Sequence, residues 1–125
     1  MNKPNHSKTH WVLAGALATV LFAGVLPAHA DVKDVYKVNC KKCHGWDGKG
    51  DTPQGRKEKA ADWTTAAFQK RVTDDQIVKT ILEGKESDGK KMKGLKDKVS
   101  PAEAKELVKI VRAFGSAPGP FPGEK

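Results

Sequence analysis

Two cysteines three positions apart with a histidine directly after them, Cys40-Lys41-Lys42-Cys43-His44, constrain this chain more than any other feature. On a helical turn, positions i and i+3 share a face, so both thiols can reach one flat ligand while the imidazole stands beside it. Cys-x-x-Cys-His is the pattern of covalent haem attachment: Cys40 and Cys43 are expected to form thioethers and His44 to bind the iron. Three other readings fit the motif less well. A thioredoxin-like dithiol requires a βαβ context, and no β-rich alternation surrounds the motif. Structural zinc requires four ligands, and beyond residue 30 the chain has no cysteine or histidine besides these three. A Cys40–Cys43 disulfide closes a very short loop and leaves His44 unexplained.

The first thirty residues read as an export signal cleaved after Ala30. Lys3 and Lys8 are basic, an apolar stretch runs from Trp11 to Leu26, and Pro27 precedes Ala28-His29-Ala30. An uncleaved anchor is the alternative, but Gly15, Thr19 and Gly24 interrupt a stretch already short of the roughly 20 apolar residues that span a bilayer. The expected product is periplasmic and soluble, without stable membrane insertion. It comprises one domain, residues 31–115, and a Pro/Gly-rich end, residues 116–125, expected to be disordered. So short a domain buries a limited core, so the cofactor is expected to form much of it and the haem-free chain to be largely unfolded.

Helical spacing is clear in three places, and the fold class expected is all-α. Val32, Val35, Tyr36 and Val38 predict a short helix from Asp31 to Asn39 running into the cysteine motif. Thr73 and Gln76 form a capping box ahead of Ile77, Val78, Ile81 and Leu82, which predicts a helix over 74–83 ending at Gly84. Ser100, Pro101 and Glu103 open a last helix whose Leu107, Val108, Val111 and Phe114 share a face expected to pack on the first. The segment from Gly45 to Gly55 is dense in turn formers, and no strand pattern stands out.

The motif, its continuation Gly45-Trp46-Asp47-Gly48-Lys49-Gly50, the methionine in Lys90-Lys91-Met92-Lys93-Gly94 and the amphipathic last helix together resemble the class I c-type cytochromes, small monohaem electron carriers. The resemblance covers nearly all of residues 31–115. It implies a cytochrome c-like helical domain around one covalent haem c, with His44 and Met92 as axial ligands and no catalytic residues. Met92 is the only methionine besides Met1 and stands among lysines rather than in an apolar pattern. The family commonly places proline beside this methionine, whereas here Lys91 and Lys93 flank it. Trp63, Arg56 and Lys57 fall where the family often contacts haem propionates, with packing an equal reading for Trp63, and Trp46, close after the motif, is more simply read as a loop aromatic capping a small core than as a contact of the haem edge.

Filled axial positions imply one-electron transfer rather than catalysis. The competing functions are a ligand-binding or sensor cytochrome with an open sixth position, and a haem subunit of a larger dehydrogenase or oxidase. The whole sequence carries a net charge of +8, and removing Lys3 and Lys8 with the signal leaves 21 basic and 15 acidic side chains. The cations around the motif and Met92 suit redox partners with acidic docking faces. No aromatic interleaving accompanies the lysines, which argues against nucleic acid. The protein is expected to be a monomer.

Overall fold

The computed structural model describes residues 30–125. The expected export signal, up to its last residue, lies outside the described residues. In chain order the elements are α1 (Val32–Asn39), α2 (Lys41–His44), α3 (Pro53–Glu58), α4 (Ala66–Arg71), α5 (Asp74–Glu83), β1 (Gly84–Ser87), β2 (Lys90–Lys93) and α6 (Pro101–Ala113).

The three longer helices form where their spacing and caps place them. Asp31 caps α1 by accepting the Lys33 N–H, and both capping boxes close, Thr73 with Gln76 and Ser100 with Glu103. Each satisfies backbone donors that a helix start leaves orphaned. Helix α6 packs on both α1 and α5. Val35, Tyr36, Ile77, Ile81, Leu107, Val108 and Val111 meet in the core. The all-α expectation holds in the main: helices dominate.

One short hairpin was not foreseen. Strands β1 and β2 pair antiparallel, with Gly84 opposite Lys93 and Lys85 opposite Met92. The turn is Asp88-Gly89, both with positive φ, 52° and 71°, the geometry that favours Asp-Gly in two-residue hairpin loops. Met92 therefore sits on a strand rather than in an irregular loop. The hairpin's exit is tied to α5: Leu95 N–H donates to the Ile81 carbonyl at 2.9 Å and Lys96 N–H to Leu82 at 3.1 Å. These bonds occupy carbonyls that the helix end leaves free.

Arg112 fastens the other side. Its guanidinium donates to Asp74 Oδ1 at 2.8 Å and to the carbonyls of Gln69 and Val72 at 2.9 and 2.6 Å, joining α4 and the start of α5 to α6.

Residues 116–125, expected from their composition to be disordered, are placed with Phe121 against the domain. Phe121 is buried, its ring 4.9 Å from Tyr36 and 5.1 Å from Trp46, and Glu124 pairs with Lys33 on α1. A single aromatic anchor holds down a segment whose composition alone reads as disordered, because burying one such ring stabilises by about 2 kcal/mol.

Candidate functional site

The cysteine motif forms one compact helical turn. Cys43 and His44 N–H groups both donate to the Cys40 carbonyl, at 3.2 and 3.0 Å, and Gly45 closes the turn on Lys41 at 2.8 Å. Thr52 then bridges from the next helix. Its hydroxyl donates towards the Lys42 and Cys43 carbonyls at 2.7 and 3.0 Å, and accepts the Gly55 N–H at 2.8 Å as the cap of α3.

Cys40 is buried, Cys43 is half-buried, and both are free thiols. Burial pushes the Cys40 thiol up to about 12, and raises Cys43 as well. No cluster of three or more His, Cys, Asp or Glu side chains among the described residues is arranged to hold a lone metal ion, so zinc lacks a ligand set.

His44 is 7% exposed and its Nδ1 has no hydrogen-bond partner. Burial depresses its pKa to about 4, with the Ala61 backbone pulling weakly the other way, so the imidazole is neutral at physiological pH. Trp63 stacks on it, ring centroids 3.7 Å apart and planes inclined 15°. Trp63 is held in turn: its N–H donates to the Gly48 carbonyl at 2.9 Å, and its carbonyl accepts from Gln69 Nε2 at 2.6 Å. A buried imidazole with an orphaned nitrogen, beside two free thiols on the same turn, fits the donor set that a covalent haem requires.

The remaining predicted residues are spread out. Met92 is half-buried against the core, while Lys91 and Lys93 are exposed, as strand alternation dictates. Arg56 is exposed on α3 and paired with Asp51 at 2.6 Å. Lys57 is exposed on the same helix. Trp46 lies half-buried between Tyr36, at 5.8 Å, and Phe121, with the Lys41 ammonium 5.0 Å from its ring.

Residues 27–109 match the family described as cytochrome C oxidase, cbb3-type, subunit III. The chain belongs to this family and is a class I c-type cytochrome. The solved structure of the KustC0563 c-type cytochrome is 34% identical, superposes with a TM-score of 0.61, and is covered over 100% of its length by 70% of this chain. A tyrosine-to-phenylalanine mutant of that protein, also 34% identical, gives a TM-score of 0.59 over 99% of its length and 68% of this chain. No curated protein matches the chain. The family carries covalently bound haem c and transfers electrons, and Cys40 and Cys43 are consistent with its attachment motif. Among the described residues no helix is long and apolar enough to cross a membrane.

Tyr36 is the residue that sequence reasoning undervalued. It is 1% exposed, contacts Trp46, Trp63, Phe114 and Phe121, and donates its hydroxyl proton to the Gly45 carbonyl, directly behind His44. Its signal was its place on the apolar face of α1. Burial holds its phenol far above the ordinary range. The unfolded chain ionises Tyr36 near pH 10, whereas the folded one keeps it neutral. Its contribution is thus fully present below that pH and is lost as pH rises above it. Tyr36→Phe is expected to cost about 1–2 kcal/mol at pH 7, by leaving the Gly45 carbonyl without its donor, and to weaken the alkaline loss of stability. Denaturation at pH 7 and pH 11 checks both. Tyr36 is the only tyrosine, so phenolate absorbance reports it alone.

Proposed function

We propose that this cytochrome is an exported, periplasmic one-electron carrier whose haem is bound through Cys40 and Cys43, with His44 and Met92 as axial ligands. The observation that carries the reading is His44: buried, neutral, stacked by Trp63, and left with a free ring nitrogen on the same turn as two free thiols. The haem, when bound, supplies a ferric/ferrous couple. The chain's own residues set its conditions. Trp63 and the Tyr36-to-Gly45 hydrogen bond fix the ring and backbone of the His44 turn. Burial keeps His44 in the basic form that can coordinate. A neutral thioether from Met92 favours the ferrous state over a second imidazole, and the low-dielectric surroundings penalise the extra ferric charge.

Exported haem protein tests this reading through its optical spectrum with and without carbon monoxide. A low-spin ferrous band that carbon monoxide leaves unchanged, with the weak far-red ferric band of methionine ligation, is the expected result. A carbon monoxide shift identifies an open sixth position and a ligand-binding cytochrome instead.

The distribution of lysines supports docking to acidic partners. Lys41 and Lys42 flank the attachment motif, and Lys90, Lys91 and Lys93 surround Met92. The chain's own Glu124 illustrates the complementarity: Lys33, followed by Lys37 and Lys41, holds its carboxyl below the ordinary range. Association with an acidic redox protein is expected to slow as salt rises from 0.05 to about 0.5 M, since screening acts on such steering. A rate independent of salt in stopped-flow measurements removes the steering.

The description of the matched family favours a second reading, a haem subunit held within an oxidase complex. Both readings use the same haem site and differ only in whether the protein is held by a partner. Copurification with a large membrane enzyme through detergent and high salt selects the subunit reading.

A further inference from the structure

A groove of about 340 Å³ opens between the α3–α4 segment and the hairpin. Its apolar part comes from Ala61 and Phe68, and three cations from separate elements reach it: Lys59 at the end of α3, Arg71 at the end of α4 and Lys90 at the start of β2. None of the three has an ion-pair partner among the described residues. Asp62 also lines the groove, but its Oδ1 accepts from the Thr64 N–H and hydroxyl at 2.8 and 2.6 Å.

The position of the groove says what the cations face. Ala61 is the residue whose backbone reaches the His44 imidazole. Lys90 stands two residues before Met92 on the same strand, so the two side chains lie on one face of the hairpin. One wall is therefore adjacent to each proposed axial ligand, so the edge of a ring held by His44 and Met92 would come within reach of these cations. A lining that combines small apolar side chains with unpaired cations suits the edge of a macrocycle carrying two carboxylates. Carboxylates taken partly out of water without such partners are costly.

We propose that Lys59, Arg71 and Lys90 form the propionate-binding site of the haem, in place of Arg56 and Trp63, which are engaged with Asp51 and His44. The inference rests on the His44/Met92 reading. Cations at this edge hold the propionates ionised and oppose the positive charge of the ferric state.

The test uses haem-loaded protein with Arg71→Ala, Lys59→Ala and Arg71→Lys, and Lys105→Ala on the exposed face of α6 as a control for loss of one remote charge. Reduction potential is measured together with the propionate bending band in the resonance Raman spectrum. Arg71→Ala and Lys59→Ala are expected to lower the potential more than Lys105→Ala does and to move the propionate band, with Arg71→Lys restoring most of the potential. Potentials no lower than the control's, with an unmoved propionate band, overturn the assignment. If the wild-type optical spectrum lacks the methionine signature, the ligation reading fails, and the propionate band still decides whether these cations touch the haem.

Discussion

Met92→Ala is expected to leave a stably attached haem whose reduction potential falls by at least about 0.1 V, part of the roughly 0.8 V range that axial ligands control. The ferrous protein is expected to bind carbon monoxide, which the wild type does not, and the far-red ferric band is expected to vanish. A methionine that merely fills space behaves differently. Met92 is half-buried on a hairpin strand and packs against the core, so its truncation removes apolar contacts whatever its role. Core filling thus predicts a loss of about 1–2 kcal/mol with an unchanged potential and spectrum. Redox titration and carbon monoxide difference spectra separate the two, and Lys91→Ala, an exposed neighbour, controls for changes to the strand itself. An unaltered potential in Met92→Ala removes Met92 from the iron.

The parts of this fold legible in the sequence are those where a local signal and a tertiary role coincide. The capping boxes at Thr73 and Ser100 precede helices long enough to show a full apolar stripe, and both helices begin where those boxes place them. Helices α2, α3 and α4 are four to six residues long, too short for periodicity to register, although Thr52-Pro53 carries a start signal for α3. The hairpin was hidden because its strands are nearly all polar, GKES and KKMK, and only Asp88-Gly89 marked the turn. At the site, the spacing of Cys40, Cys43 and His44 pointed to the family's covalent haem, and the structure places the three on one turn. Trp63 as a stacking partner for His44 was not legible, since a contact across nineteen residues leaves no local pattern. Phe121 shows the same limit in reverse: composition described the segment around it, while one side chain determines where that segment goes.

Gly55→Ala is expected to destabilise the haem-loaded protein by more than about 3 kcal/mol, even though alanine is intrinsically the better helix residue by about 1 kcal/mol. Gly55 is buried in α3, and a Cβ there falls 2.2 Å from the carbonyl oxygens of both Cys43 and Gly50. Both obstacles are backbone, so no rotamer change relieves them, and either α3 or the attachment turn must move. Movement of either one breaks the bonds that Thr52 makes to the Lys42 and Cys43 carbonyls and to the Gly55 N–H. The damage therefore reaches Cys43, proposed to carry the second thioether, and the yield of attached haem is expected to fall along with stability. Gly119→Ala isolates the conformational part of the cost. Gly119 has a φ of 83°, which disfavours alanine, but its added Cβ meets only a Phe114 ring carbon at 3.8 Å. That substitution is expected to cost about 1 kcal/mol, the penalty of a left-handed backbone alone. Urea denaturation of both variants, followed by haem absorbance, gives the comparison. If Gly55→Ala lies within 1 kcal/mol of Gly119→Ala, helix α3 can slide away from the attachment turn without penalty, and the close backbone contact is not what positions Cys43.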